Sequence, residues 1–162
     1  MLKEVEEFHS ISPKLFIFDE EFYEVFLLER SLLSKNNSGC FEPVGGKKKP
    51  EESFLEALSR EGCEEIGSEA MAEVTIIKEP YHFRTFELSP GKFIAQVFFA
   101  GTVKDRERFK ELAKRDLSKE HSSADFSLLT HLPARTVPYI WRALKIPRVR
   151  SGIFTPQTRV IQ

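Results

Sequence analysis

Cysteine is scarce in this chain: there are two, Cys40 and Cys63, among 162 residues. They make neither a disulfide framework nor a metal-type spacing, which sets aside stapled secreted scaffolds and points to a reducing cytoplasm. Long apolar runs are missing too, so no helical membrane span is expected. The opening residues, MLKEVEEFHSIS, are acidic and lack an apolar h-region, unlike a secretory signal. His9, His82, His121 and His131 show no ligand spacing, which argues against a zinc hydrolase. No internal repeat, low-complexity tract or linker interrupts the sequence, so one domain over residues 1–162 is expected. Acid is absent from the end of the chain. After Asp125 there is no Asp or Glu, while Arg135, Arg142, Lys145, Arg148, Arg150 and Arg159 follow. Those six of the 24 basic residues leave 18 against all 25 acids before them. This basic end reads first as a solvated surface, with contact to a phosphate-rich ligand as the alternative.

What is present is a globular composition, 41% hydrophobic and 30% charged. Residues 14–18 (KLFIF) and 23–29 (YEVFLLE) read as a strand pair, and SKNNSG (34–39) as a loop. Residues 73–77 (EVTII), 82–88 (HFRTFEL) and 92–103 (KFIAQVFFAGTV) read as further strands. Phe109, Leu112, Ala113 and Leu117 recur at helical spacing, predicting an amphipathic helix over 104–117. A short edge strand at 126–129 and a last helix over 134–144 complete a layered α/β domain.

The stretch GGKKKPEESFLEALSREGCEEIG, residues 45–67, carries the chemistry. Ser53 with Glu56 three residues on makes a capping box, so a helix is predicted over 54–66 with Gly67 as its stop. On that helix Phe54, Leu55, Leu58, Gly62 and Ile66 form an inward arc. Glu61, Glu64 and Glu65 share a neighbouring arc, and Glu65 points almost with Phe54 and Leu58. A solvated acidic face is the usual meaning of such glutamates. Here they repel one another at roughly 0.2–0.5 kcal/mol per pair. They also oppose the helix dipole at its negative end, and one leans toward the apolar side, where an unpaired charge is costly. A hard divalent cation held by the clustered carboxylates removes all three conflicts.

The same stretch resembles the Nudix box, G-x5-E-x7-R-E-U-x-E-E-x-G-U, where U is bulky and apolar. Gly46, Glu52, Arg60, Glu61, Glu64, Glu65 and Gly67 fill its seven fixed positions, an accident on the order of 10⁻⁸ per window. Gly62 and Ser68 depart, standing where the family carries apolar residues. The resemblance implies a Nudix-type α/β/α sandwich with a mixed sheet. It also implies hydrolysis of a nucleoside diphosphate linked to another moiety, with Mg²⁺ or Mn²⁺ neutralising the phosphates and activating water. Carried over by position, Glu61, Glu64 and Glu65 look like metal-binding carboxylates, with Glu61 also a base, and the Gly45 carbonyl like a further ligand. Arg60 and Glu52 resemble the pair that orients Glu61, and Lys47 a phosphate-contacting lysine. Glu120, in KEHSSADF, resembles the later carboxylate that many members add, with Asp125 as its rival. Phe41 sits where an aromatic often precedes the box and is a candidate for substrate binding.

Markers of particular substrates are not met. Pro80 and Tyr81 fall short of the position that flags ADP-ribose or dinucleoside polyphosphate enzymes, and the signature of NADH-specific members is absent. The expected substrates are nucleoside triphosphates, dinucleoside polyphosphates or 5′-triphosphorylated RNA. ADP-ribose or nucleotide-sugar cleavage, or a non-catalytic nucleotide-binding module, is the alternative. The isomerase branch of the family needs a strand cysteine, which neither Cys40 nor Cys63 provides. Many relatives pair as homodimers, so a homodimer is a further expectation.

Overall fold

The computed structural model describes residues 8–144. In chain order it runs β1 (Ser10–Asp19), β2 (Glu24–Arg30), β3 (Phe41–Glu42), β4 (Val44–Gly45), α1 (Phe54–Ile66), α2 (Ser68–Ala72) and β5 (Thr75–Ile76). There follow β6 (His82–Ser89), β7 (Lys92–Val103), α3 (Arg106–Arg115), β8 (His121–Leu128) and α4 (Pro138–Leu144). Of the basic end, Lys145, Arg148, Arg150 and Arg159 lie outside the described residues.

The strands form one mixed sheet of eight, ordered β3-β2-β1-β7-β5, with β4 also on β1, β6 on β7 and β8 on β2. Its spine is the parallel pair β1–β7, in register from Ser10–Ile94 to Asp19–Val103. A parallel pair covered on both faces needs apolar side chains in both directions, so these segments read as continuous hydrophobic runs. Leu15, Ile17 and Phe99 enter one core with Leu58 and Ile66 of α1, Met71 of α2 and Phe109 and Ala113 of α3. Phe16, Phe18, Phe98 and Ala100 enter a second core under Ile140, Ala143 and Leu144 of α4. Helices therefore cover both faces, the α/β/α sandwich expected. No helix among the described residues is long and apolar enough to cross a membrane.

Three local expectations shift. Residues 73–77 do not form a five-residue strand. Helix α2 occupies 68–72, Glu73 caps it, and only Thr75–Ile76 pair with β7. Burying Ala70 and Met71 against α1 outweighs the strand propensity of the following run. Strand β8 begins five residues earlier than predicted and runs along β2 from His121 to Leu128. Helix α4 starts at Pro138 rather than 134, as suits a proline at a first helical position.

Candidate functional site

Helix α1 begins with the capping box that the sequence promised. Ser53 Oγ accepts from the Glu56 N–H at 3.2 Å, and the Glu56 carboxylate accepts from the Ser53 N–H at 2.7 Å. Gly67 closes it at φ +88°, donating its N–H to the Cys63 carbonyl. Both departures from the box have a packing reason. A β-carbon on Gly62 would collide with the Met71 side chain, so α1 gives up a side chain to let α2 close in. Ser68 is the first residue of α2 and lies exposed, where an apolar group would gain nothing.

Ahead of α1 the chain must pass very close to β1. Gly45 takes φ +139°, and a β-carbon there would overlap the Pro13 carbonyl, so the position accepts only glycine. This closeness turns the Gly45 N–H toward α1, where it donates to Glu65 Oε2 at 2.9 Å. The next residue, Gly46, lies against the Glu61 carboxylate.

Arg60 organises the near side of the cluster. Its Nε donates to Glu52 Oε1 at 2.5 Å and its Nη2 to Glu52 Oε2 at 3.1 Å, a two-pronged clasp across the loop–helix junction. Nη1 reaches Glu61 Oε1 at 2.6 Å and Glu64 Oε1 at 3.4 Å, and Nη2 also donates to the Lys47 carbonyl at 3.0 Å. The Arg60 hydrogen bonds, with one from the Lys49 N–H, lower the Glu52 carboxyl to about pKa 2. The Arg60 guanidinium is raised in turn by Glu52 and Glu61.

On the far side lies a buried group of three. Glu42, Glu65 and His121 place one ligating atom each within 4.8 Å of one another. His121 Nε2 lies 3.2 Å from Glu42 Oε1 and 3.9 Å from Glu65 Oε1, and its Nδ1 lies 3.1 Å from Ser118 Oγ. Ser118 also donates its N–H to the Glu65 carbonyl at 2.8 Å, tying the start of β8 to the end of α1. Burial pushes Glu65 up to about 8, against the pull of the Gly45 N–H and Lys14. Burial also pushes on Glu42, but the His121 hydrogen bond, Lys14 and Arg30 outweigh it and the carboxyl sits below its ordinary value. Arg30 Nη1 donates to Glu42 Oε1 at 3.1 Å. Two carboxylates at this depth, one of them costly to ionise, beside an imidazole nitrogen are a donor set suited to a divalent cation. The residues present fit such an ion.

A model of the NUDIX domain matches residues 11–143. The chain belongs to the Nudix family. It is also 30% identical to the MutT protein of Methanosarcina mazei Go1, whose crystal structure matches 82% of this chain and 90% of that one at a TM-score of 0.55. The E. coli dihydroneopterin triphosphate pyrophosphohydrolase shares the fold at 17% identity, with 85% and 94% covered and a TM-score of 0.60. So does a C. elegans Ap4A hydrolase, at 20% identity, 88% and 94% covered and a TM-score of 0.56. No curated protein matches significantly. The chain is thus a Nudix pyrophosphohydrolase, from a family whose members act on nucleotides and generally use divalent cations.

Within that frame the sequence-predicted residues divide. Glu52, Arg60, Glu61 and Glu64 form one hydrogen-bonded set, with Glu64 the most exposed, and Glu65 turns inward to Glu42 and His121. Lys47 exposes its side chain and joins the set only through its backbone carbonyl. Phe41 is partly buried in the core beneath α4, with its backbone bonded to Arg135 and Val137. Glu120 is not brought to the Glu65 group. Its side chain is exposed, and its carbonyl accepts from the Ser31 N–H. Side chains alternate along a strand, so the same backbone that turns Glu120 outward sends His121 in. Asp125 is further off, held by Lys110 at 3.5 Å and Lys114 at 3.7 Å. Glu42, His121 and Lys14 escaped the sequence reading. The Glu-His pair was visible, but with β8 begun too late its alternation could not be applied.

Proposed function

We propose that the protein is a Mg²⁺- or Mn²⁺-dependent hydrolase of nucleoside triphosphates, dinucleoside polyphosphates or 5′-triphosphorylated RNA, acting as one domain. The observation that carries this reading is Glu65, a carboxyl sunk beside Glu42 and His121 on a helix that also carries Glu61 and Glu64 of the Nudix box, with Glu52 just ahead of it. The named activities among the similar structures, on a pterin triphosphate and on Ap4A, lie within or next to this range.

In this reading Glu61, Glu64, Glu65 and the Gly45 carbonyl would hold the cation, and Glu42 and His121, grouped with Glu65, would take the place expected of Glu120. When bound, the cation supplies neutralisation of the phosphate oxygens and activation of the attacking water. The rest falls to the chain. Arg60 pins Glu61 through Oε1, leaving Oε2 to accept a proton from water. Glu52 holds Arg60 in place, so that Glu61 is oriented before substrate arrives. Lys47 is free in solvent at the helix entry to meet a phosphate.

The test is a hydrolysis screen with Mg²⁺ or Mn²⁺ across nucleoside triphosphates, dinucleoside polyphosphates, triphosphorylated RNA, ADP-ribose and nucleotide sugars. Cleavage of one of the first three, lost in Glu65→Gln and in His121→Asn but kept in Glu120→Gln, supports the reading. Cleavage confined to ADP-ribose or nucleotide sugars replaces the substrate class. Tight nucleotide binding without cleavage makes the protein a binding module and ends the hydrolase reading.

A further inference from the structure

Strand β2 ends at Arg30, and the loop that follows, residues 31–40, returns to β3 with little apolar anchorage. Leu32 is 73% exposed and Leu33 94%, so neither holds the loop by burial. Polar contacts do so instead. The Arg30 N–H donates to the Cys40 carbonyl at 3.0 Å and the Gly39 N–H to the Arg30 carbonyl at 2.9 Å, which brings the two ends of the loop together. Ser38 Oγ donates to the Leu32 carbonyl at 3.1 Å, and the Ser31 N–H to the Glu120 carbonyl at 2.8 Å. A surface loop closed in this way keeps its own shape and can hold a side chain at a set place.

The side chain held here is Ser34. Its Oγ donates to the Asn36 carbonyl at 3.2 Å, which leaves both lone pairs to accept. Arg30 takes both, from Nε at 3.1 Å and from Nη2 at 2.8 Å. A guanidinium is flat and rigid, so fixing these two nitrogens fixes the direction of the third. That third nitrogen, Nη1, donates to Glu42 Oε1 at 3.1 Å. An arginine gains most from a carboxylate by gripping it with two nitrogens. Arg30 meets Glu42 with one and turns its two-pronged edge to a neutral hydroxyl, an arrangement that favours aim over strength.

Glu42 is 5% exposed and shares the buried group with Glu65 and His121. Its Oε1 has two partners, Arg30 and His121 Nε2 at 3.2 Å. Among the described residues no hydrogen bond reaches its Oε2. We propose that Arg30, braced by Ser34, is a positioning residue for the cation site: it pins Glu42 by Oε1 and leaves Oε2 as the atom that Glu42 offers to a divalent ion. The inference rests on the reading of the buried group as a cation site, and it adds to that site a brace that lies outside the Nudix box.

The test is calorimetric titration of Mn²⁺ into the full metal-free chain, which needs no substrate. Ser34→Ala keeps every charge and removes only the brace, and it is expected to weaken Mn²⁺ binding about threefold. Arg30→Lys keeps the charge but loses the fork, with an expected loss of about tenfold. Ser34→Thr, which keeps the hydroxyl, should restore the affinity. In a Glu42→Gln background, Arg30→Lys should add no further loss, because the carboxylate it acts through is gone. Variants that melt earlier yet bind Mn²⁺ like wild type would overturn the proposal and leave Arg30 in an ordinary ion pair. An undiminished loss in the Glu42→Gln background overturns it too, as does a wild-type chain that takes up no Mn²⁺. Should Arg30→Lys or Glu42→Gln not fold, the comparison of Ser34→Ala with Ser34→Thr, at a half-buried position, still decides. A chain that binds Mn²⁺ with this pattern and cleaves nothing would sustain the inference while ending the hydrolase reading. A chain that cleaves, with a Mn²⁺ affinity indifferent to Ser34 and Arg30, would do the reverse.

Discussion

Gly46 lies so close to Glu61 that a β-carbon on it would collide with the carboxylate carbon and both oxygens. The glycine of the Nudix box is thus fitted to its second glutamate, and the loop is as much a part of that residue's orientation as the helix is. Gly46→Ala is expected to push Glu61 off Arg60 and to lower kcat about 10- to 100-fold, the usual cost of disturbing a supporting contact. The melting temperature should move little, since the carboxylate has solvent to turn into. Activity within twofold of wild type would show that the position of Glu61 does not matter to the reaction.

Arg60 is held by geometry as much as by charge. Its guanidinium spans Glu52, Glu61 and the Lys47 carbonyl at once. A lysine keeps the charge but cannot make the fork. Arg60→Lys is therefore expected to lose about 10- to 100-fold in kcat with KM changed far less. Glu52→Gln should fall in the same direction by a smaller factor, because the amide still offers Arg60 one acceptor. Steady-state kinetics on both variants checks this, and an Arg60→Lys enzyme working at full rate would remove the orienting role from Arg60.

The candidate site was legible in sequence wherever it is local. The capping box, the inward lean of Glu65 and the Arg60 set all lie within one helix and its entry loop, where a period of 3.6 residues fixes who faces whom. What was hidden depends on pairings across the sheet. Glu42 meets His121 across 79 residues because β2 pairs with both β3 and β8. No spacing in the chain announces such neighbours. With β8 placed five residues late, the alternation that turns Glu120 outward and His121 inward could not be applied to the Glu-His pair.

Gly62 and Met71 carry a separable consequence for stability. Alanine at 62 would gain about 1 kcal/mol of helix propensity, but its β-carbon overlaps the Met71 side chain, which is itself buried. Overpacking of this kind costs about 1–3 kcal/mol, so Gly62→Ala is expected to be destabilising on balance. Met71→Ala alone opens a cavity and also destabilises. Each change relieves the other, so the double variant should be more stable than the sum of the two by about 1 kcal/mol or more. Denaturant unfolding of the four proteins measures this coupling, and strict additivity would mean that α2 does not set the residue at 62.

Glu65 links stability, proton and cation. Burial, with Glu42 and Glu61 nearby, holds its carboxyl up at about 8, against an ordinary value of 4.5. Between those values the metal-free folded chain keeps a proton that the unfolded chain has lost. Stability therefore falls as pH rises from about 4.5 to about 8 and levels off above that, where both states are ionised. A cation needs the carboxylate, so Mn²⁺ binding is expected to release close to one proton at about pH 6.5 and fewer above about pH 8. Its stabilising effect should grow across the same window. Melting curves of metal-free protein from about pH 5 to 9 and calorimetry in buffers of different ionisation enthalpy read the two effects. Glu65→Gln keeps an acceptor for the Gly45 N–H but cannot titrate, and it should flatten the pH slope and abolish the proton release. If the slope survives unchanged in that variant, the titrating group is some other residue and the buried carboxyl is not what the cation displaces a proton from.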